Sequence, residues 1–170
     1  KKGNTISRFI DALSQIEGAY ALVALTNKKL IGVRDPLGIR PLVLGQLDGK
    51  YILTSETCAL DIIGAKFVRE VENGEIVVIT DNTIESIKPF PVVKARPCIF
   101  EYIYFSRPDS IVGGLSVYQC RKAFGKELAK ESFIQADMVI PVPDSGVPAA
   151  IGYAEQSEIA FETGIIRNHY

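Results

Sequence analysis

The sequence is poor in residues that carry acid–base catalysis and covalent cross-linking. Its 170 residues include one histidine, His169, and three cysteines, Cys58, Cys98 and Cys120. A single histidine beside the end excludes His-dependent triads and clustered histidine metal sites from the rest of the chain. An odd number of cysteines without paired spacing argues against a disulfide framework, so we expect a reducing, cytoplasmic compartment.

Long apolar runs and a strong net charge are also missing. No apolar run approaches the roughly 20 residues that a membrane-spanning helix needs, and the formal net charge is −1. A nearly neutral chain is not expected to bind nucleic acid or an anionic membrane non-specifically. Hydrophobic residues make up 47% of the sequence, which is enough for a packed core. We therefore expect a folded protein with no membrane or nucleic-acid partner.

The first ninety residues show a mixed pattern of helices and antiparallel strands. Apolar residues at helical spacing predict an amphipathic helix over residues 5–16, with Thr5 as its N-cap and Gly18 as its stop. A short second helix is expected at residues 57–65, capped by Thr54 or Ser55. Turn signals such as Asp48-Gly49 separate apolar runs and indicate hairpins. This α+β pattern predicts a buried strand at residues 19–25, further strands at 30–34, 42–47 and 51–56, and a hairpin that turns at Asp81-Asn82.

The character of the chain changes at a connector, residues 89–98, that contains three prolines. We place a domain boundary there, between residues 95 and 96. A long amphipathic helix is predicted over residues 116–132, and the strands and helix after it indicate a parallel α/β arrangement. The apolar stripe of the long helix is expected to comprise Val117, Cys120, Phe124 and Leu128.

A strand, a loop of small residues and a helix follow one another in residues 138–150, MVIPVPDSGVPAA. The first five residues are predicted to form a short buried strand, and the apolar residues from Val147 onward recur at helical spacing. Such a loop can bind an anion, because the first N–H groups of a helix have no partner inside the helix. The alternative is an ordinary turn in which Asp144 or Ser145 only caps the helix.

Several segments together carry a resemblance to a known family. In order and spacing they resemble the amidophosphoribosyltransferases, the glutamine-dependent enzymes that open purine synthesis: RDPLGIRPL, TSETCALD, ENGEIVVI, FEYIYFSRPDS and VPDSGVPAAIGYA. Other glutamine amidotransferases with an N-terminal nucleophile have relatives of RDPLGIRPL, but they do not follow it with EYIYFSRPDS. The resemblance covers essentially the whole chain.

The resemblance implies two domains, one on each side of the predicted boundary. Residues 1–95 would form the C-terminal part of an αββα N-terminal-nucleophile glutaminase, and residues 96–170 the start of a type I phosphoribosyltransferase domain of α/β class. The implied enzyme is a pentosyltransferase that makes 5-phosphoribosylamine from glutamine and phosphoribosyl pyrophosphate, in the first step of de novo purine synthesis. A homo-oligomer is implied as well.

The resemblance also assigns site residues. Asp144, Ser145 and Gly146 match a loop around the pyrophosphate and the metal, in which the Ser145 hydroxyl would be a ligand of Mg²⁺. Cys98 matches the first cysteine ligand of a [4Fe–4S] cluster that many members carry, and its alternative role is that of a small buried hydrophobe. Cys58 and Cys120 are expected to pack in the core.

Neither active site is complete in the segment that matches. The family's nucleophile is a cysteine at residue one, whose own α-amino group acts as base, and none of the three cysteines matches it. The Asp-Asp motif for phosphoribosyl pyrophosphate is absent, and His169 stands where the family favours Arg. The chain, which does not begin with Met, is expected to be a middle segment of the enzyme, inactive alone and without a catalytic residue. The alternative is a non-catalytic remnant of a truncated or decayed gene with at most weak phosphate binding.

Other charged and aromatic residues have structural interpretations. Asp35 and Arg40 are expected to tie one turn together through a charged hydrogen bond, and Arg107 and Asp109 to fix a second turn or a domain contact. Three aromatic residues are expected to lie in the core: Tyr102, Tyr104 and Phe105.

Overall fold

Helices and antiparallel strands alternate through the first part of the chain. The structure, a computed structural model, describes residues 4–81 and 83–168. It divides into two units between Cys98 and Ile99. The described part of the first unit contains two helices and seven strands: α1 (Thr5–Leu13), β1 (Ala21–Leu25), β2 (Leu30–Arg34), β3 (Val43–Leu47), β4 (Lys50–Thr54), α2 (Thr57–Ile62), β5 (Lys66–Glu70), β6 (Ile76–Thr80) and β7 (Thr83–Ile87).

The seven strands form two antiparallel sheets that lie between the two helices. One sheet has the order β1-β2-β6-β7 and the other the order β4-β3-β5. Side chains alternate between the two faces of a strand, so Ile76 and Val78 of β6 pack with α1. Val77 and Ile79 of the same strand pack with the second sheet, whose other face packs against α2 through β3. The layers therefore follow the expected αββα order.

The limits of α1 differ from the prediction at both ends. Asn4, not Thr5, is the N-cap, and its Oδ1 accepts a hydrogen bond from the N–H of Ser7 at 2.9 Å. The helix ends at Leu13, three residues before the predicted end. The N-cap prediction was one position too late. The side chain of Asn4, directly before Thr5, accepts the N–H of the third residue after it, which is the usual N-cap bond.

The start of α2 and the burial of β1 also differ from the prediction. Glu56 is the N-cap of α2 and makes no side-chain cap bond, so neither Thr54 nor Ser55 caps this helix. Strand β1 was expected to be buried, but Val23 is 52% exposed and Leu25 is 80% exposed. The reason is its place at the edge of its sheet, where residues 4–81 and 83–168 supply no further strand beside it.

Strand β5 was not predicted. It pairs with β3, and the register shifts between Leu44 and Gly45. Its sequence, KFVRE, carries three charged residues and no turn signal of its own, and Phe67 is 52% exposed at this sheet edge. A short, half-polar edge strand leaves little apolar periodicity to detect.

The second unit contains a short π-helical turn, Glu101–Phe105, and two helices. A small hairpin of β8 (Ile111–Val112) and β9 (Leu115–Ser116) leads into α3 (Val117–Glu131), and α4 spans Val147–Ser157. Among the described residues, one parallel bridge joins Val139 to Phe161 across α4. No helix in the described part of the chain is long and apolar enough to cross a membrane.

Helices α3 and α4 cross at two glycines. A Cβ atom added to Gly125 would lie 1.9 Å from the carbonyl oxygen of Ala149, and one added to Gly152 would lie 1.9 Å from that of Lys122. Side chains at these two positions would therefore push the helices apart. An ion pair of 3.0 Å between Lys126 and Glu155 adds a polar contact between the same helices.

The buried face of α3 agrees with the predicted apolar stripe only at Val117. The other buried residues are Arg121, Gly125 and Ala129, whereas Phe124 is 43% exposed and Leu128 is 52% exposed. Cys120 is half-buried. The prediction was wrong for Phe124 and Leu128 because a close helix crossing selects small residues, and the four-residue spacing of Gly125 and Ala129 sets the contact face.

The predicted buried strand at the start of residues 138–150 is only partly formed. The N–H of Val139 donates to the carbonyl of Ala160 at 2.8 Å, and the N–H of Glu162 donates to the carbonyl of Val139 at 3.0 Å. This parallel pairing agrees with the expected arrangement. Burial does not, since Met138 is 48% exposed and Val142 is 70% exposed. A single bridge covers too little of the segment to bury it.

Candidate functional site

The loop before α4 is shaped by its own backbone. The N–H of Gly146 donates to the carbonyl of Val142 at 3.2 Å, and the N–H of Val147 donates to the carbonyl of Asp144 at 3.3 Å. Gly146 is the N-cap of α4, and no side chain caps this helix. The alternative in which Asp144 or Ser145 only caps the helix is therefore wrong.

These backbone bonds limit the groups that can bind an anion. The N–H groups of Gly146 and Val147, which we expected to be open to a ligand, already have carbonyl partners in the loop. Pro148, in the first turn of α4, has no N–H at all. Anion binding at this loop must therefore depend mainly on side chains.

Side chains of suitable charge line an open cleft beside Ser145. The cleft has a volume of about 660 Å³, and its lining includes three arginines and one carboxylate: Arg107, Arg121, Arg167 and Asp144. Guanidinium groups donate two parallel hydrogen bonds to carboxylate or phosphate oxygens. The excess of positive charge makes this cleft suitable for a ligand that carries phosphate groups.

Arg107 is held in a fixed direction at the edge of the cleft. Its Nε and Nη2 donate to the two carboxylate oxygens of Asp109 at 3.0 and 2.8 Å. These hydrogen bonds lower the pKa of the Asp109 carboxyl group. The predicted turn-fixing pair is thus confirmed, and more than half of each side chain remains exposed.

Asp144 has a partner across the cleft. Its Oδ2 lies 3.0 Å from Nη1 of Arg167, and the two side chains are 66% and 64% exposed. Ion pairs this exposed contribute little to stability. The Arg167 guanidinium is therefore able to exchange its partner for a ligand at small cost.

The sequence analysis singled out neither Arg121 nor Arg167, which both line this cleft. Arg121 is 2% exposed, and its Nε donates to the carbonyl of Tyr102 at 2.9 Å while its Nη2 donates to the carbonyl of Ser106 at 2.7 Å. One signal could have identified it: Arg121 stands four residues before Gly125, on the small-residue face of α3.

Gly146 is required by the loop itself. A Cβ atom at this position would lie 2.6 Å from the carbonyl oxygen of Val142. Together with Ser145 it also borders a smaller, mostly apolar cleft of about 300 Å³. Close approach of a ligand is thus not the only reason for glycine here.

The aromatic residues before the cleft are not in the core. Tyr104 is 65% exposed and Phe105 is 49% exposed, and both line the arginine cleft. Tyr102 is half-buried and donates its hydroxyl to the carbonyl of Val112 at 2.9 Å. The expectation of core packing was wrong because the π-helical turn places two adjacent rings on the outside.

The residues around Ser145 do not form a metal site by themselves. In residues 4–81 and 83–168 there is no group of three or more His, Cys, Asp and Glu side chains that could hold a metal ion. The carboxylate adjacent to Ser145 belongs to Asp144, which is paired with Arg167. Mg²⁺ requires six oxygen ligands, so these side chains fit at most a minor share of its coordination. His169 lies outside the described residues.

The cysteines occupy separate environments. Cys58 is 4% exposed in the first unit, as expected for a core residue. Cys98 is half-buried, and its N–H donates to the carbonyl of Ile39 at 3.1 Å. A [4Fe–4S] cluster needs four thiolates, and the described residues do not assemble them.

The turn after β2 is closed by hydrogen bonds to the backbone. Asp35 is fully buried, and its carboxylate accepts the N–H of Leu37 at 2.9 Å and that of Ile39 at 3.0 Å. Arg34 donates to the carbonyls of Gly38 at 3.2 Å and Arg40 at 2.9 Å. Asp35 ties the turn as predicted, and the guanidinium of Arg34, which the prediction did not include, bonds to the same turn.

Known proteins match both the sequence and the fold. The family model of the glutamine amidotransferase domain matches residues 4–61. The chain is 58% identical over its whole length to the amidophosphoribosyltransferase of Rhizobium etli, of which it covers 35%. It is 46% identical over 94% of its length to that of Bacillus subtilis, of which it covers 34%. This chain is homologous to the amidophosphoribosyltransferases.

The solved structures agree with this homology. The glutamine phosphoribosylpyrophosphate amidotransferase from B. subtilis, complexed with ADP and GMP, matches all of this chain with a TM-score of 0.95 and 44% identity. The chain spans about a third of the length of the curated relatives it matches. The predicted resemblance to amidophosphoribosyltransferases and the mixed fold class are therefore confirmed. The assignment of residues 96–170 to a phosphoribosyltransferase domain stays a prediction.

Proposed function

We propose that this chain is part of an amidophosphoribosyltransferase, which makes 5-phosphoribosylamine from glutamine and phosphoribosyl pyrophosphate at the start of purine synthesis. The observation that carries the proposal within this chain is the arginine-lined cleft beside Ser145. It lies where a parallel-bridged segment leads into the N-terminus of α4. Ligands of open α/β sheets bind at such positions, beyond the carboxyl ends of the strands.

In this proposal the second unit binds the pyrophosphate group. Arg107 and Arg167 supply exposed guanidinium groups, and Ser145 supplies a hydroxyl that donates to a phosphate oxygen. Asp144 and Gly146 complete the substrate-binding loop: Asp144 orients Arg167, and Gly146 allows the tight turn before α4. The ordinary task of the loop is then to hold and orient the substrate, without a proton transfer of its own.

The proposal includes two cofactors, and this chain would supply one ligand to each of them. Mg²⁺ is usually held through few protein groups together with substrate phosphates and water, and the Ser145 hydroxyl would be one of its oxygen ligands. Cys98 would be one of four thiolate ligands of a [4Fe–4S] cluster. No catalytic step is assigned to either residue.

The glutamine half-reaction is not assigned to any residue of this chain. Cys58 is buried in the core, and Cys98 and Cys120 are half-buried. None of them matches an N-terminal cysteine that uses its own amino group as base. We therefore expect the 170-residue chain to release no ammonia from glutamine.

A homo-oligomer in the cytoplasm is the proposed state of the whole protein. The three free cysteines favour a reducing compartment. Location differs among the relatives, since the soybean (Glycine max) protein, 50% identical over 96% of this chain, is named chloroplastic. Fractionation of the source cells with an antibody to this chain tests the compartment.

The second candidate function is a remnant that only binds phosphate. The same open cleft supports it, because three guanidinium groups attract any phosphate. The DNA on each side of the reading frame separates the two candidates. Flanks that encode an N-terminal cysteine and an Asp-Asp motif support the enzyme, and stop codons or frameshifts support the remnant.

Ser145→Ala in the full-length protein tests the site. The lost hydrogen bond to a charged group is worth roughly 1.5–3 kcal/mol, or about 10- to 150-fold in affinity for phosphoribosyl pyrophosphate. Steady-state kinetics of both half-reactions measure it. Unchanged kinetics with phosphoribosyl pyrophosphate together with impaired glutamine cleavage would show that the loop has a structural role only.

A further inference from the structure

Arg121 connects helix α3 to the segment that carries Arg107. Its guanidinium group bonds to two main-chain carbonyls, those of Tyr102 at 2.9 Å and Ser106 at 2.7 Å. These carbonyls lie within and directly after the π-helical turn, four residues apart. Arg121 therefore holds both ends of one short segment from a single point on α3.

Ser106 is fixed from three directions. Its N–H donates to the carbonyl of Glu101 at 3.2 Å, its hydroxyl donates to Oε2 of Glu101 at 2.6 Å, and its carbonyl accepts from Arg121. Ser106 is 2% exposed, so these bonds are shielded from water. The next residue is Arg107, whose guanidinium group lines the cleft.

Only arginine suits this arrangement. A planar guanidinium group presents five N–H donors in a rigid fork, whereas an ammonium group is a point charge on a flexible stem. A buried cation is costly unless its donors are satisfied, and Arg121 is 2% exposed. We infer that the role of the buried Arg121 cation is to fix the positions of the Tyr102 and Ser106 carbonyls.

We propose that Arg121 is a positioning residue: by holding the Ser106 carbonyl it fixes the main chain from which Arg107 reaches the anion in the cleft, while Asp109 orients the Arg107 guanidinium. This inference rests on the proposed function, because it needs a phosphate-bearing ligand in the cleft. Arg121 acts through Ser106 and Arg107 and has no role as acid or base.

A double-mutant cycle on the full-length protein tests the inference. The variants are Arg121→Lys, Arg107→Gln and their combination, and the probe is inorganic pyrophosphate with Mg²⁺, titrated by calorimetry. Each single variant is expected to weaken binding by about tenfold, which is one step of 1.4 kcal/mol. If Arg121 acts through Arg107, the double variant also loses about tenfold, because nothing remains to be positioned. A loss of about 100-fold, the product of independent effects, would overturn the inference.

Controls separate positioning from general damage. Lys130→Gln removes a charge from the exposed side of the same helix, where Lys130 is 52% exposed and pairs with Glu127, and should leave pyrophosphate binding unchanged. If Arg121→Lys does not fold, as judged by circular dichroism, Arg121→Gln replaces it in the cycle, since the shorter amide cannot donate to the carbonyls of both Tyr102 and Ser106. Additive losses with Arg107→Gln would contradict the inference in that case too.

Pyrophosphate binding by the unsubstituted protein separates a failure of the proposed function from a failure of the inference about Arg121. If it binds no pyrophosphate, the proposed function fails, and the inference fails with it. If it binds pyrophosphate and Arg121→Lys binds equally well, the inference alone is overturned.

Discussion

Large apolar side chains fill the space between the sheets of the first unit, whereas the helices of the second unit meet through glycines. In the first unit Leu44 and Val77 lie between two sheets and are almost completely buried. In the second unit Gly125 and Gly152 form the helix contact, and Leu128 remains 52% exposed. Apolar size thus predicts burial between stacked sheets, where about 10 Å must be filled. It fails at a helix crossing that is closer than large side chains permit.

Two identical substitutions should show the largest contrast between the units. Leu44→Ala removes a side chain that is 1% exposed and is expected to lower the free energy of unfolding by about 2–5 kcal/mol. Leu128→Ala, at a position 52% exposed, is expected to change it by no more than about 1 kcal/mol. Urea denaturation of both variants measures the difference. Equal losses would mean that Leu128 is covered in the assembled protein.

The smallest side chains should be the sensitive ones in the second unit. Gly125→Ala places a Cβ atom 1.9 Å from the carbonyl oxygen of Ala149, so we expect a loss of about 1–3 kcal/mol or more from overpacking. In an ordinary helix the same change would stabilise by about 1 kcal/mol. Thermal unfolding gives the sign directly.

The matched control for that crossing is Ala123→Gly on the exposed side of α3. It should cost about 1 kcal/mol of helix propensity without altering the crossing. A Gly125→Ala variant that is more stable than the wild type would show that the helices separate easily.

The αββα layers could be predicted because their determinants are local. The continuous apolar run of β6 and turn signals such as Asp48-Gly49 indicate strands whatever lies around them. Strand β5 (Lys66–Glu70) was not predicted because its sequence carries no such apolar run. The family resemblance, carried by longer motifs, identified the Ser145 loop.

The details of the cleft could not be predicted because they depend on tertiary contacts. Asp144 pairs with Arg167, and Arg121 bonds to Ser106, although the members of each pair are distant in sequence. The exposure of Tyr104 likewise depends on how its segment packs. In the loop before α4, the N–H of Gly146 bonds to the carbonyl of Val142, which the sequence did not indicate. Sequence therefore indicated where the loop is, and the structure identified which groups in it are available to a ligand.

Ion pairs extend the comparison, since the first unit has a pair with a buried carboxylate. Glu75 is fully buried and lies 2.7 Å from Arg69. Burial raises the pKa of Glu75, but hydrogen bonds from Arg69, Ser86 and the N–H of Glu72 outweigh it, so the pKa lies below the ordinary value of 4.5. A carboxyl group whose pKa falls on folding stabilises the fold above its unfolded-state pKa, and this stabilisation is lost as the pH falls through the folded value.

We therefore expect the free energy of unfolding to decrease as the pH drops below about 4.5, and Glu75→Gln to reduce that dependence. Urea denaturation between about pH 7 and pH 3 measures the slope for each protein. Glu72→Gln is the control, because Glu72 is 62% exposed in its pair with Lys88. If the pH dependence survives Glu75→Gln but disappears in Glu72→Gln, the dependence comes from the Glu72–Lys88 pair, and the prediction for Glu75 is wrong.

The exposed pair of the second unit should have the smallest effect on stability and a measurable effect on binding. Asp144 and Arg167 are 66% and 64% exposed, and pairs of this kind are worth about 0.2–1 kcal/mol. A double-mutant cycle with Asp144→Asn and Arg167→Gln should give a coupling energy within that range, decreasing at high salt. In the cleft, however, Asp144→Asn removes the carboxylate that repels an anion and frees Arg167. Binding of metal-free pyrophosphate should therefore strengthen by a few-fold, at about 1 kcal/mol or less. Weaker binding of metal-free pyrophosphate by Asp144→Asn would show that the orientation Asp144 gives to Arg167 outweighs its repulsion of the anion.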